Sequence, residues 1–195
     1  MTLDRSTPPS PAAPLKTARL ILRAWIPADA VALKAALDAS RPELARFTPW
    51  VLDESDSVDA LRQKLARFAE RFRAGTEWRY AIATQLAPTL PIGECGLYPR
   101  IGPSALEIGY WLATSATGHG FATEAAAAVT AEAFRLAHVE HVEIRCDPAN
   151  TPSMRVPERL GYRARPAIVR EDDADARRRG EVVVWDLDRA SVRRA

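Results

Sequence analysis

With 195 residues, 47% of them apolar and 27% charged, the chain is long enough for one domain with a core, and its composition is neither disordered nor fibrous. Its 27 basic and 25 acidic residues leave a formal charge of +2 with the signs interspersed, which removes any global drive toward nucleic acid. Cys95 and Cys146 are isolated, so no zinc or disulfide framework is expected, and without a membrane-length apolar run or a signal-peptide start the sequence predicts a cytoplasmic protein with no membrane partner.

Residues 1–14 carry Pro8, Pro9, Pro11 and Pro14 among Ser, Thr and Ala, and read as an extended tail before a single domain over residues 15–195. Leu20-Ile21-Leu22, between Arg19 and Arg23, predicts a short strand. Pro27 then opens a helix carrying Ala30, Leu33 and Leu37, which ends before Arg41-Pro42. A second helix is capped by Ser55, repeats Val58, Leu61, Leu65, Phe68 and Phe72 at steps of three and four, and closes at Gly75. Three strands follow over residues 78–83, 92–98 and 106–112. Their connections carry Pro88, Pro91, Pro99, Gly102 and Pro103 and are short enough for antiparallel hairpins. The pattern then changes to a helix over 118–136, a strand over 139–145, a short helix over 151–160, and strands over 162–169 and 182–187. The charged segment 170–180 between the last two strands reads as a solvated hairpin loop. The fold class is mixed α/β.

The turn Thr117-Gly118-His119-Gly120-Phe121-Ala122 lies where an Ala-rich helix begins. Backbone N–H groups at a helix start are free to face an anion, and two glycines let a phosphate come close. Glycines ahead of a helix also make plain tight turns, so the pair alone does not decide. A dinucleotide site is another reading, with Glu140 or Glu143 near the ~20-residue distance of a ribose-binding carboxylate. Thr123 at the third-glycine position and antiparallel strands upstream argue against it.

Three segments accompany the turn: Thr17-Ala18-Arg19-Leu20-Ile21-Leu22-Arg23; Glu107-Ile108-Gly109-Tyr110-Trp111-Leu112 running on to Gly118-His119-Gly120-Phe121-Ala122-Thr123-Glu124-Ala125; and Asn150-Thr151-Pro152-Ser153 ending in Glu158-Arg159-Leu160-Gly161-Tyr162. In this order they resemble the GNAT acetyltransferases, and within them the RimJ/RimL-like branch that includes ribosomal-protein N-terminal acetyltransferases. The likeness spans residues 15–188. It implies a central, mostly antiparallel twisted sheet, flanked by helices and splayed at its parallel pair, the strands at 107–112 and 139–145. It also implies acetyl-CoA (coenzyme A) as cofactor, with pantetheine along Trp111, Leu112 and Ala113 and pyrophosphate on Gly118, His119, Gly120, Phe121, Ala122 and Thr123. Asn150 reads as an N-cap from its residue type, while the resemblance places it and Ser153 near the acetyl and thiol end. Two positions depart from the family pattern. Thr117 stands where the family carries Arg or Gln, leaving phosphate to backbone N–H groups, and Pro157 stands where many members carry a thiol-protonating tyrosine.

Acetyl transfer to an amine needs a neutral nucleophile, a polarised thioester carbonyl and a donor for the departing thiol. Glu107 is the candidate base, with an outward, solvated carboxylate as its other reading. Ser153 is the candidate donor to sulfur, and a backbone N–H near Trp111 or Leu112 the candidate oxyanion donor. Trp50 and Tyr110 are expected to line the amine pocket. His119, His138 and His141 lack a Cys or carboxylate cluster, so no metal is expected. Pro157 predicts a kink or loosening in its short helix. The expected activity is acetyl transfer to a primary amine of a protein N-terminus or a small molecule, by a monomer or homodimer. Thr117 and Pro157 keep open the alternative of a non-catalytic acyl-CoA-binding domain.

Overall fold

The computed structural model describes residues 10–53, 57–170 and 180–192. After two short strands, β1 (Leu15–Lys16) and β2 (Leu20–Ala24), come helices α1 (Ala30–Ala45) and α2 (Val58–Ala74). The meander β3 (Trp78–Thr84), β4 (Ala87–Tyr98) and β5 (Ala105–Leu112) leads to α3 (Phe121–Arg135), β6 (His141–Cys146) and α4 (Thr151–Arg159). The chain then adds β7 (Arg163–Ala164), β8 (Ile168–Arg170), β9 (Gly180–Asp188) and a terminal turn of helix, α5 (Arg189–Val192). The strands form one sheet in the order β1-β2-β3-β4-β5-β6-β9-β7, with β8 also on β9. Only β5 and β6 run parallel; the other pairs among the described residues are antiparallel.

Strand alternation divides the apolar residues between two faces. On one, Tyr80, Ile82, Cys95, Leu97, Leu106, Ile108, Val142 and Ile144 pack against Ala125, Val129 and Ala133 of α3. On the other, Ala81 and Trp111 pack with Trp25, Leu33 and Leu37 around α1 and with Leu61 and Leu65 of α2. The heptad-like spacing of α2 therefore does what it predicts, burying Leu61, Leu65 and Phe72, and Gly75 ends the helix in the left-handed conformation (φ 70°). Its cap is Ser57, whose side chain accepts from the Ala60 N–H; Ser55 lies outside the described residues.

Several boundaries differ from the sequence expectation. Helix α1 passes through Pro42 to Ala45. Proline removes one backbone bond, a cost of roughly 3 kcal/mol, but Leu44 and Ala45 pack on the second core cluster and Arg41 donates to the Val51 carbonyl at 2.6 Å, so tertiary contacts hold the last turn. Pro88 and Pro91 lie inside β4 rather than in a connection, at register shifts opposite Ala83 and Thr84. The register shifts interrupt the ladder there, and an irregularity of this kind is where a sheet tolerates a residue without an N–H. The single strand expected over 162–169 is two short ones, because Pro166 interrupts the ladder between β7 and β8. Helix α3 starts at Phe121 and β6 at His141, later than the sequence suggests. Within the expected tail, residues 10–14 are docked: Trp78 donates to Ser10 Oγ (3.0 Å), Tyr80 to the Ala12 carbonyl (2.9 Å), and Ala12 N–H to Glu132 Oε1 (2.6 Å). Residues 1–9, and most of the charged segment (171–179), lie outside the described residues.

Burial pushes the phenols of Tyr80, Tyr98, Tyr110 and Tyr162, the chain's four tyrosines, well above their ordinary value. Acids whose folded pKa is raised contribute stability below the unfolded value of ~10 and lose that contribution as pH rises past it. Tyrosinate absorbance should therefore stay flat past pH ~10 and then rise in one step with alkaline unfolding. A phenol titrating near 10 while the circular dichroism stays native would contradict this packing.

Candidate active site

The site begins where β5 and β6 part. Their parallel pairing runs from Ala105↔His141 to Ile108↔Ile144 and stops, although β5 continues to Leu112 and β6 to Cys146. Each strand stays with its outer neighbour, β5 with β4 as far as Gly93↔Leu112 and β6 with β9 as far as Cys146↔Val183. A wedge opens between them and broadens into a cleft of about 1050 Å³. The Ala113 N–H is bonded to the Ile92 carbonyl across β4 at 2.8 Å. Antiparallel strands alternate the direction of their polar groups, so Trp111 also bonds toward β4, while Tyr110 and Leu112 turn their backbone N–H and C=O toward the gap.

At one end of the cleft lies the start of α3. Gly118 (φ 80°) and Gly120 (φ 79°) are both left-handed, a conformation costing an ordinary residue roughly 1–2 kcal/mol. Gly120 is the N-cap and no side chain caps the helix; the first helical bond is Glu124 N–H to the Gly120 carbonyl, 3.1 Å. Gly118, Gly120, Phe121, Ala122 and Thr123 line the cleft, and Thr117 beside them turns its hydroxyl back to the Thr114 carbonyl at 2.8 Å. Two residues assigned to the cofactor from the sequence are not brought to the lining. Ala113 is buried with its N–H spent on β4, and the His119 ring tilts against Phe121 at 5.6 Å while its carbonyl accepts from Arg19 Nη1 at 3.0 Å.

In the middle, the Asn150 side chain caps α4 by accepting from the Ser153 N–H (3.3 Å). The Ser153 hydroxyl donates to Tyr110 Oη (3.2 Å) and lies 3.3 Å from Cys146 Sγ. Tyr110 Oη in turn donates to the Ser153 backbone carbonyl (3.0 Å). Pro157 explains that last bond: residue 157 lacks the N–H that would reach this carbonyl one turn back. The phenol supplies the missing donor, and α4 continues through Pro157 to Arg159. Burial also pushes the Cys146 thiol up, which keeps it protonated.

The opposite face of β4 and β5 forms the other end. Gly96 faces Gly109 across the two strands, and the Tyr98 ring lies over both; a Cβ on Gly96 would come within 2.7 Å of the Tyr98 hydroxyl. Glu94 is buried and accepts from Trp25 Nε1 (2.8 Å), Tyr98 Oη (3.2 Å) and Arg79 (3.3 Å). Glu107 is 5% exposed, so it is not an outward strand carboxylate; both its oxygens accept from Arg100, and Arg145 lies 3.8 Å away. Trp50 stands edge-on to Trp111, ring centres 6.2 Å apart. Tyr110, expected beside Trp50, also lines the cleft but points to the α4 side of the sheet. Glu94, Tyr98, Arg79 and Arg100 were not singled out from the sequence. The period-two run Glu94-Gly96-Tyr98, interleaved with buried Cys95 and Leu97, was the available signal.

The family profile described as "Acetyltransferase (GNAT) domain" matches residues 19–163. The chain belongs to the GNAT acetyltransferase family. "Probable N-acetyltransferase YjcK" of Bacillus subtilis (strain 168) is 30% identical over 126 residues, 63% of this chain and 68% of that protein. Among solved structures, Mycobacterium smegmatis RimJ in complex with CoA-disulfide covers 94% of this chain and 91% of its own, with a TM-score of 0.79 and 21% identity. RimL, the "Ribosomal L7/L12 alpha-N-protein acetyltransferase in complex with Coenzyme A", covers 88% and 95%, with a TM-score of 0.76 and 20% identity. These structures share the GNAT fold. GNAT enzymes take their acetyl group from acetyl-CoA, and the cleft of this GNAT chain fits that donor: an uncapped helix start with two left-handed glycines suits phosphate, and a parted strand edge suits an amide-bearing arm.

Tyr110→Phe should destabilise the protein by about 1–2 kcal/mol, because the Ser153 carbonyl loses its donor. Pro157→Ala restores a backbone N–H at that point, so the same Tyr110→Phe change should cost less in its background. A double-mutant cycle from urea unfolding measures the coupling; strict additivity would show that the phenol does not stand in for the missing amide.

Proposed function

We propose that this GNAT enzyme acetylates the α-amine of a protein or peptide N-terminus by direct attack on the thioester of acetyl-CoA. The observation that carries the reading is that both buried carboxylates of the floor are already engaged, Glu94 by Trp25, Tyr98 and Arg79, and Glu107 by Arg100. A carboxylate so engaged can take up a proton passed through water from an amine that is already partly neutral. An α-amine, with a pKa near ~8, is partly neutral at physiological pH; a lysine near ~10.4 is not. The likeness to RimL, named as an alpha-N-protein acetyltransferase, supports the same acceptor class.

When bound, acetyl-CoA supplies an activated acyl group and a tolerable thiol leaving group. The chain supplies the rest. The Leu112 N–H, turned into the gap, is the oxyanion donor, and Glu107 receives the amine proton through water at the floor. The Ser153 hydroxyl donates toward the departing sulfur: Tyr110 has its single proton committed to the Ser153 carbonyl, so the serine proton is the one able to swing. Pro157 therefore removes the family's tyrosine without removing a hydroxyl from that end, which favours catalysis over a purely binding role. Trp50 and Trp111 wall the amine side, and Asn150 holds the Ser153 turn in place.

Thiol release from acetyl-CoA should be faster with peptides bearing a free α-amine than with N-blocked peptides bearing lysine; a preference for lysine would overturn the acceptor class. Glu107→Gln should lower turnover most below the acceptor's pKa, where the amine is largely protonated. A pH–rate profile parallel to that of the unsubstituted enzyme would remove Glu107 from the proton path.

A further inference from the structure

The turn at the start of α3 is held from outside the cleft by a residue far away in sequence. Arg19, in the link that enters β2, donates from Nη1 to the His119 carbonyl (3.0 Å) and from Nε to Glu124 Oε2 (2.7 Å). Its backbone N–H and the Thr17 hydroxyl donate to Glu124 Oε1, at 2.8 and 2.5 Å. The guanidinium also covers the Phe121 ring, 4.7 Å from its centre. Every one of these contacts falls on residues 119–124, the turn and first helical turn themselves.

Resting on the reading that this turn takes the pyrophosphate of acetyl-CoA, we infer that Arg19 is a positioning residue for the phosphate cradle, aiming the Gly120 N–H into the cleft and neutralising Glu124 beside it. The first effect follows from peptide planarity: a trans peptide carries its C=O and N–H on opposite sides. Drawing the His119 carbonyl out toward Arg19 turns the Gly120 N–H the other way, and Gly118 and Gly120 line the cleft whereas His119 does not. The second follows from charge. A carboxylate in the first turn of α3 occupies the position that a helix start offers to an anion and repels incoming phosphate. Glu124 instead reaches back to the link before β2 and is absent from the cleft lining. Although burial opposes it, hydrogen bonds from Thr17 and Arg19 hold this carboxyl below the usual carboxylate range, so the pair stays ionised at neutral pH. Thr117 contributes no charge to the turn, which leaves orientation and neutralisation to Arg19.

The test compares CoA with pantetheine, which lacks the pyrophosphate, by titrating each against tryptophan fluorescence, with Trp111 in the cleft wall as reporter. Arg19→Met should weaken CoA binding about tenfold, the scale of a lost charge-assisted hydrogen bond, and leave pantetheine within about twofold. Arg19→Lys, which keeps the charge but loses the planar fork, should fall between. If Arg19→Met folds poorly, Arg19→Met/Glu124→Gln removes the uncompensated carboxylate and should recover part of the CoA affinity. Equal losses for CoA and pantetheine would mean that the pair only holds the fold, and an unchanged CoA affinity would mean that it does nothing for the cradle; either overturns the inference. Failure of the unsubstituted protein to bind CoA would instead overturn the acetyl-CoA reading together with it.

Discussion

β5 and β6 part from each other while each keeps its outer neighbour. β5 stays registered on β4 to Leu112 and β6 on β9 to Cys146, but the ladder between them ends at Ile108↔Ile144, and beyond it their facing backbone groups turn to a gap. Unpaired backbone donors and acceptors are costly when buried unless something else satisfies them. An extended, amide-bearing ligand does so in the way a strand would. The rest of the site follows from that divergence: α3 begins at one mouth, and the two faces of β4 and β5 present different side chains to the other.

Because strand residues alternate, the same short stretch of β5 serves both faces. Tyr110 goes to α4 with Ser153 and Cys146, while Gly109 and Trp111 go to the side of α1 and α2 with Tyr98 and Trp50. The Ser153 hydroxyl and the aromatic wall of Trp50 and Trp111 thereby stand on opposite faces of one sheet. The polar groups involved are held by neighbours rather than by solvent, so they need little reorganisation when charge develops.

The sequence made the fold legible where periodicity is local. Helix α2, the three-strand meander and the glycine turn follow from spacing and caps, and the three quoted segments carried the family. It misled where a residue's usual meaning was overridden by packing at a distance: Pro42 did not end α1, since Leu44 and Ala45 have a core to bury in; nor did the sequence show that at Pro157 a phenol from β5 takes the place of the lost amide. The floor of Glu94, Tyr98, Arg79 and Arg100 was hidden for another reason. Its members are dispersed over β3, β4 and the link to β5, and only the register of those strands puts them together. Arg19 was quoted as part of a strand motif, but nothing near it in sequence indicates that its side chain reaches His119.

The docking of residues 10–14 has a bearing on where this domain starts. The family profile matches only from residue 19, yet Glu132, buried on α3, takes its hydrogen bond from the Ala12 N–H, and Glu124 takes one from Thr17. A chain cut where that match starts would strip partners from both carboxylates and from Tyr80. The span that keeps these polar groups partnered is thus longer than the span the family profile matches. Its leading edge is a stretch of proline-rich sequence that no periodicity would mark as structural.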